Sequence, residues 1–460
     1  MAAAPRERRK PVSGLPNLPS TRAEWHEMAN LYLANARLRD ICSFGRFSAS
    51  TVTKEAFLTV RCVWDNSVVP PDEALGYIIA TGAFFSQEHW DDARQFLNRK
   101  LLGSKQLSNL FDIVCLDAEK KTPPRFQCSV TDGLGPFSML VNLHKQIAEK
   151  SLSFARDGDL DPPTYAPIKP RSAPPPSSGS PTSRTPKRTR RSSPIVEDDP
   201  RSSPDPLVGP VNQITSPRPE IHPRISNELP DEVPDPRTPT ETLVVNFTVT
   251  LLGGIACMVQ RLSSSTLCVA NSYETTYQFG PIAVNPPKEE IKFRARIDGS
   301  IPFSKPEDMN LLEMVIFEAK RDPRTPDRGV AVRGQQSMEH VAYIWERHVK
   351  ERASIKPGVY RTFMISQDCL SFYISIGTYD DEYLNYIFGP GNAPVIPTDN
   401  RRNGFLHIQE LGPFETEIRR EMEVLAQIIL CLTLWQLDGK PEASMIKTSM
   451  AGVRPDELWW

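Results

Sequence analysis

An acid and a base stand one residue apart at the end of an apolar run: Met314-Val315-Ile316-Phe317 leads straight into Glu318, then Ala319 and Lys320. Such a run reads as a strand bound for a core. Side chains in a strand alternate, so Glu318 and Lys320 project from one face. Earlier, the strand-like run Ile291–Ile297 ends in Asp298 and Gly299, a turn signal. If these strands pair across the loop between them, Asp298 reaches the same face. Two carboxylates brought together repel, and one takes up a proton unless a cation sits between them. Hard oxygen ligands suit Mg²⁺ or Mn²⁺, which keep several waters and use only one or two protein carboxylates. Lys320 beside a metal-bound water can orient and deprotonate it or steady a phosphate. Hydrolysis of a phosphodiester by in-line attack is the reaction such a set serves. The plainer reading is a solvated ion pair on a strand edge, worth about 0–1 kcal/mol. The apolar run before Glu318 argues for enclosure instead.

Positioning these residues takes a sheet, and the flanking sequence supplies its elements. An apolar helix is predicted from about Thr240 to Gln260, with Thr240 as N-cap. Strand-like runs follow near 266–270 and 275–279, then the Asp298 and Glu318 strands with turn-forming residues between them. Residues 333–352 have helical period: Gln336, His340, Tyr343 and Arg347 share one stripe, and Val341, Ala342 and Trp345 lie on faces that can pack on the sheet. Arg333 at the helix start is placed for a phosphate, because free backbone N–H groups gather there. Two more strands, over 360–366 and 370–379, and a helix over 415–437 close the block. The order helix, strands, helix, strands, helix predicts an α/β (α+β) architecture, a mixed sheet covered by helices.

Residues 20–150 read as helices. Thr21 and Glu24 are spaced as a capping box ahead of Trp25, Met28, Leu31, Tyr32 and Leu38. Ser86 caps a second helix with Trp90, Ala93, Phe96, Leu97 and Leu101 on one face. His26, His89 and His144 sit on helices without partners at a site-like spacing, so packing or surface roles are expected.

Between the two blocks composition changes: 21 of the 44 prolines fall in residues 151–240, among dense Ser, Thr and Asp. Such a stretch buries too little apolar surface to offset the entropy of ordering. The predicted organisation is a disordered basic N-terminus (1–19), a helical domain (20–150), a disordered Pro/Ser-rich linker (151–239), a sheet domain (240–445) and a tail (446–460). Within the linker, Arg184, Lys187, Arg188, Arg190 and Arg191 form a basic cluster that suits an import receptor or a nucleic-acid phosphate backbone, the bland alternative being a solvated charge run. Flanking Ser-Pro and Thr-Pro steps resemble proline-directed kinase sites, where phosphorylation adds negative charge beside the arginines.

Several classes are set aside. Eight cysteines lack any Cys-x-x-Cys pair or Cys/His cluster, so neither structural zinc nor a disulfide framework is expected, and reduced thiols in a nuclear or cytoplasmic compartment fit. A formal charge of −2 gives no global attraction to polyanions. The basic N-terminus has no apolar stretch behind it, so secretion is not expected, and the most apolar run, from Leu243, is shorter than the ~20 residues of a spanning helix, so no membrane segment is expected. Kinase signatures and a Gly-x-Ser-x-Gly elbow are missing.

Asp298, a 19-residue gap and Glu318-Ala319-Lys320, on two strands followed by a helix, resemble the PD-(D/E)xK nuclease superfamily, and within it the fungal nuclease-like proteins. The resemblance spans roughly residues 240–440 and draws nothing from the N-terminal block. It implies a restriction-endonuclease-like mixed sheet flanked by helices. It also implies that Asp298 and Glu318 bind Mg²⁺ or Mn²⁺ with help from the Ala319 carbonyl, and that Lys320 takes part in catalysis. Some families carry a Gln and a Tyr four apart on the following helix; Gln336 and Tyr343 are seven apart, and Gln335 is an equal candidate. The implied substrate is nucleic acid, DNA by preference given the basic linker, and a homodimer is one implied arrangement, since many of these nucleases pair to cut both strands. Two features depart from the pattern. Ile297 stands where the superfamily has proline, and a further acid, expected from the first helix or the strands after it, has three competing candidates in Glu274, Glu289 and Glu290. The alternative function is a nuclease-fold module without catalysis, serving as a nucleic-acid or protein interaction domain.

Overall fold

The apolar alternation around Glu318 builds a strand inside the largest sheet of the computed structural model of this protein. The structure describes residues 17–36, 47–98, 102–115, 133–156, 239–259, 270, 272, 274–285, 288–301, 315–320, 322–351, 358–388 and 404–437. The basic N-terminus to residue 16, nearly all of the Pro-rich linker with its basic cluster and Ser-Pro and Thr-Pro steps, most of the strand expected at 266–270, and the tail lie outside the described residues.

In chain order the N-terminal elements are α1 (Arg22–Ala36), β1 (Phe47–Ser48), α2 (Lys54–Thr59), β2 (Cys62–Trp64), α3 (Pro71–Thr81), α4 (Gln87–Asn98), α5 (Leu102–Val114) and α6 (Ser138–Arg156). After the linker come α7 (Pro239–Cys257), β3 (Thr275–Phe279), β4 (Ile282–Asn285), β5 (Lys288–Glu290), β6 (Phe293–Ile297), β7 (Gly299–Ile301) and β8 (Val315–Lys320). The chain continues with α8 (Pro326–Glu351), β9 (Val359–Asp368), β10 (Ser371–Asp380), α9 (Asp381–Phe388), β11 (Leu406–Glu415) and α10 (Arg419–Leu437). A six-stranded mixed sheet runs β2-β11-β10-β9-β8-β7, a three-stranded one runs β1-β6-β3, and β4 pairs with β5. The architecture is thus α+β with a mixed sheet between helices, as the order of elements predicts.

Among the strands that were not anticipated, two bear on how the chain is organised. β11 follows α9 after a stretch rich in Gly, Pro and Asn, and β2 is only three residues long. Cys62–Trp64 pairs in parallel with Leu406–Ile408, so an N-terminal segment supplies the edge of the C-terminal sheet. Trp90 Nε1 donates to Gln427 Oε1 (3.0 Å), His144 Nε2 lies 3.1 Å from Thr416 Oγ1, and Tyr383 donates its hydroxyl to the Val60 carbonyl (2.9 Å). Residues 20–150 and 240–445, which composition separates, therefore belong to one folding unit. A short strand has no partner inside its own segment, and its helices find their apolar cover on the sheet of the other.

Each face of the six-stranded sheet has its own core. Val315, Phe317 and Ala319 join Phe363, Ile365, Phe372, Ile374 and Leu411 against α7 and α10. Ile316 and Met364 point the other way, toward Met338, Val341 and Ala342 of α8. On that second face the parallel register sets Glu318 beside Ser366 and Lys320 beside Asp368. One face of the sheet is thus almost wholly apolar, while the other carries a polar floor beneath a buried helix. No described helix is long and apolar enough to cross a membrane.

Candidate functional site

Backbone geometry brings Asp298 to Glu318. β6 belongs to the small sheet and β7 to the large one, so Asp298 sits where the chain changes sheets, not at the end of a single strand as its sequence suggests. β7 pairs with β8 antiparallel, Gly299 opposite Phe317, and the Asp298 N–H donates to the Phe317 carbonyl (3.2 Å). Beyond that point β6 has left the ladder, and Asp298 Oδ2 takes the place of the lost backbone acceptor, receiving the Ala319 N–H at 2.8 Å. This bond gives Asp298 a structural task as well as a place beside Glu318.

Glu318 is 3% exposed. Lys320 Nζ contacts its Oε1, as expected of two side chains on one strand face. The same ammonium lies 4.0 Å from Glu241 in the first turn of α7, and about a quarter of the Lys320 side chain remains exposed, so the cluster meets solvent at this end of β8. From α8, Gln335 Nε2 donates to Glu318 Oε1 (2.9 Å) and to Glu339 Oε1 (2.7 Å). Glu339 is fully buried. A buried carboxylate without enough partners costs several kcal/mol in principle, so its proton affinity rises. Burial, reinforced by Asp298 and Glu339 and opposed by Lys320, pushes the Glu318 carboxyl well above the usual range. Burial likewise pushes Glu339 up to about 7, against the pull of Lys320 and Gln335. Burial disfavours the Lys320 ammonium, but Glu318, Asp298 and Glu339 outweigh it and hold its pKa above that of an ordinary lysine.

A second charged group continues along the polar floor. Arg324, in the β8–α8 connection, donates to Asp368 Oδ2 at 2.6 Å, contacts Glu410 of β11 and stacks 4.0 Å from the Tyr373 ring. Arg333 also contacts Glu410, through its Nε at 3.0 Å. Buried charges persist when paired, and this network pairs them. Five side-chain atoms over the same face nevertheless have no hydrogen-bond partner among the described residues: Glu318 Oε2, Glu339 Oε2, Asp368 Oδ1 and both amide atoms of Gln336. Buried polar atoms are rarely left so, and a cluster of them on one face marks a place where an outside ligand gains by binding.

Several expected residues lie elsewhere. Gln336 is buried and does not reach Glu318; its neighbour Gln335 does. His340 is neutral, its pKa lowered to about 3 by burial, and bridges Thr362 Oγ1 (2.8 Å) and Ser375 Oγ (2.9 Å) inside the core. Tyr343 packs edge-on to Tyr277 (5.6 Å), and Arg347 donates to the Arg361 carbonyl (3.5 Å). The expected polar stripe is therefore a core stripe, because α8 is enclosed by both sheets rather than lying on a surface. Arg333 is not at the helix start, which is Pro326, but two turns in, one-third exposed over Glu410. Glu274 pairs with Arg296 (3.3 Å) and Glu290 with Lys292 (3.1 Å); the Glu289 side chain lies outside the description. The acids that do approach Lys320 are Glu241 and Glu339. The signal for Glu339 was its i+4 spacing from Gln335, which sets both on one side of the helix.

Glu318, Asp298 and the Ala319 backbone offer hard oxygen donors suited to Mg²⁺ or Mn²⁺, and Glu318 Oε2 is a partnerless one. No three His, Cys, Asp or Glu side chains among the described residues converge as a metal-holding group; the candidate pair, Asp298 and Glu318, supplies two carboxylates. That number is the usual one for Mg²⁺. No protein-family model matches the chain, and no curated protein matches it.

Proposed function

We propose that this protein is a Mg²⁺- or Mn²⁺-dependent nuclease-like enzyme that hydrolyses phosphodiester bonds of nucleic acid, DNA by preference. The observation that carries the reading is the enclosed Asp298–Glu318 pair, joined through the Ala319 N–H and compensated by the Lys320 ammonium at an opening to solvent. Glu318 through Oε2, Asp298 and the Ala319 carbonyl would hold the ion, the last as the superfamily resemblance implies. A divalent cation held there would supply Lewis-acid activation of water and would offset charge on the phosphate. Lys320, partly exposed beside Glu318, would stabilise negative charge on the phosphate. Arg333, partly exposed at the edge of the polar floor, supplies a second cation toward the substrate backbone. The basic cluster at 184–191 would serve nuclear import or additional phosphate contacts.

One observation favours a second reading, a nuclease-fold interaction module without catalysis: Lys320 already contacts Glu318, the atom group that a metal needs. The two readings separate in one experiment. The full chain is incubated with duplex DNA, single-stranded DNA and RNA in Mg²⁺ or Mn²⁺, beside Glu318→Ala and Lys320→Ala. The enzyme reading expects cleavage by wild type and at least a hundredfold loss in both variants. DNA binding without cleavage by wild type in either metal would hand the protein to the second reading.

A further inference from the structure

Glu339 shares the Gln335 amide with Glu318. A Gln amide nitrogen has two protons, and here both are committed: one to Glu318 Oε1 at 2.9 Å, one to Glu339 Oε1 at 2.7 Å. Only the orientation that presents nitrogen can satisfy two acceptors at once; the opposite one would set the amide oxygen against two carboxylates. Glu339, four residues along the same face of α8, therefore fixes which end of Gln335 meets the strand. Gln335 in turn holds Oε1 of Glu318, while Oε2 of that carboxylate stays without a partner. The helix thus aims a strand-borne acid.

We infer that Glu339 is a positioning residue: acting through Gln335, it orients Glu318 so that Oε2 is presented to a divalent cation. The inference rests on the metal reading proposed above. Outer-sphere groups that orient a ligating side chain are typically worth about 10–100-fold in metal affinity. Glu339→Gln keeps the side-chain shape, but it can offer its own amide nitrogen and so releases Gln335 to turn over.

The test is Mn²⁺ binding to the full chain, followed by titration calorimetry without nucleic acid, for wild type, Glu318→Gln, Glu339→Gln, Gln335→Ala and the Glu339→Gln/Gln335→Ala double variant. Expected is a loss of about tenfold or more for Glu339→Gln and for Gln335→Ala, with the double variant no weaker than Gln335→Ala alone, because the two residues act in series. Additive losses in the double variant, or wild-type affinity in Glu339→Gln, would overturn the inference while leaving the metal site standing. Absence of Mn²⁺ binding by wild type, or binding unaffected by Glu318→Gln, would remove the metal reading and this inference together. Melting temperatures in EDTA separate these losses from misfolding, since a folded variant melts cooperatively.

Discussion

Glu339→Gln should make the metal-free protein more stable. The carboxyl of Glu339 moves from an ordinary 4.5 to about 7 on folding, chiefly because it is buried, and its Oε2 finds no partner among the described residues. A folded-state pKa above the unfolded one means that the folded form holds the proton more tightly. The protein is therefore favoured at low pH and loses stability as pH rises from 4.5 through 7. At 1.36 kcal/mol per pH unit, the displacement amounts to about 3 kcal/mol once the pH is well above 7. Glu339→Gln removes the ionisation, so that cost disappears whichever way the Gln335 amide then turns. In EDTA at pH 7.5 the variant should melt about 6 °C above wild type, taking about 2 °C per kcal/mol for a large domain. At pH 4.5 the two should coincide. Glu318 and Asp368 are also raised, both chiefly by burial, so the quantity to read is the difference between the two proteins. Thermal melts followed by circular dichroism from pH 4.5 to 8 measure it. If the variant melts at or below wild type at pH 7.5, or if the difference does not change with pH, Glu339 is not a buried acid held at a cost.

Arg324→Ala leaves the buried carboxylates of Asp368 and Glu410 short of a cation; breaking a buried pair in this way costs about 3–5 kcal/mol, with the low end expected because Arg333 still reaches Glu410. An unfolding free energy from denaturant titration within about 1 kcal/mol of wild type would refute the pairing. A fragment beginning at residue 239 should show no cooperative unfolding, because it lacks β2 at the edge of the sheet and the helices that cover α10; a sharp melt from that fragment would show that the N-terminal half is dispensable.

How far the sequence could be read follows from the range of each signal. Alternation around Glu318 is local, and it put Glu318 and Lys320 on one face. The Asp298 contact could be anticipated too, since two successive strand-like runs joined by one loop imply neighbouring strands. Two kinds of information were harder to see. β2 has three residues, too few to show a period, and its partner lies more than 300 positions away. α8 carries a mixture of polar and apolar residues all round, so periodicity offered two adjacent glutamines without choosing between them. Gln335 wins because α8 is clasped between two sheets, which turns the stripe through Gln336, His340 and Tyr343 into packing. That enclosure is tertiary, and nothing within the helix announces it. The burial of Glu339 was hidden for the same reason: an acid in mid-helix ordinarily faces water, and tertiary packing encloses this one.

The parallel ladder between Cys62–Trp64 and Leu406–Ile408 also sets an order of events while the chain is being made. A ribosome adding about 5–20 residues per second needs roughly 20–70 s to travel from the first strand to the second. During that interval the N-terminal helices have emerged with their apolar sides bare and the edge strand unmatched. Nascent chains of this protein should therefore engage holding chaperones early and release them late, when the last strand and helix arrive together.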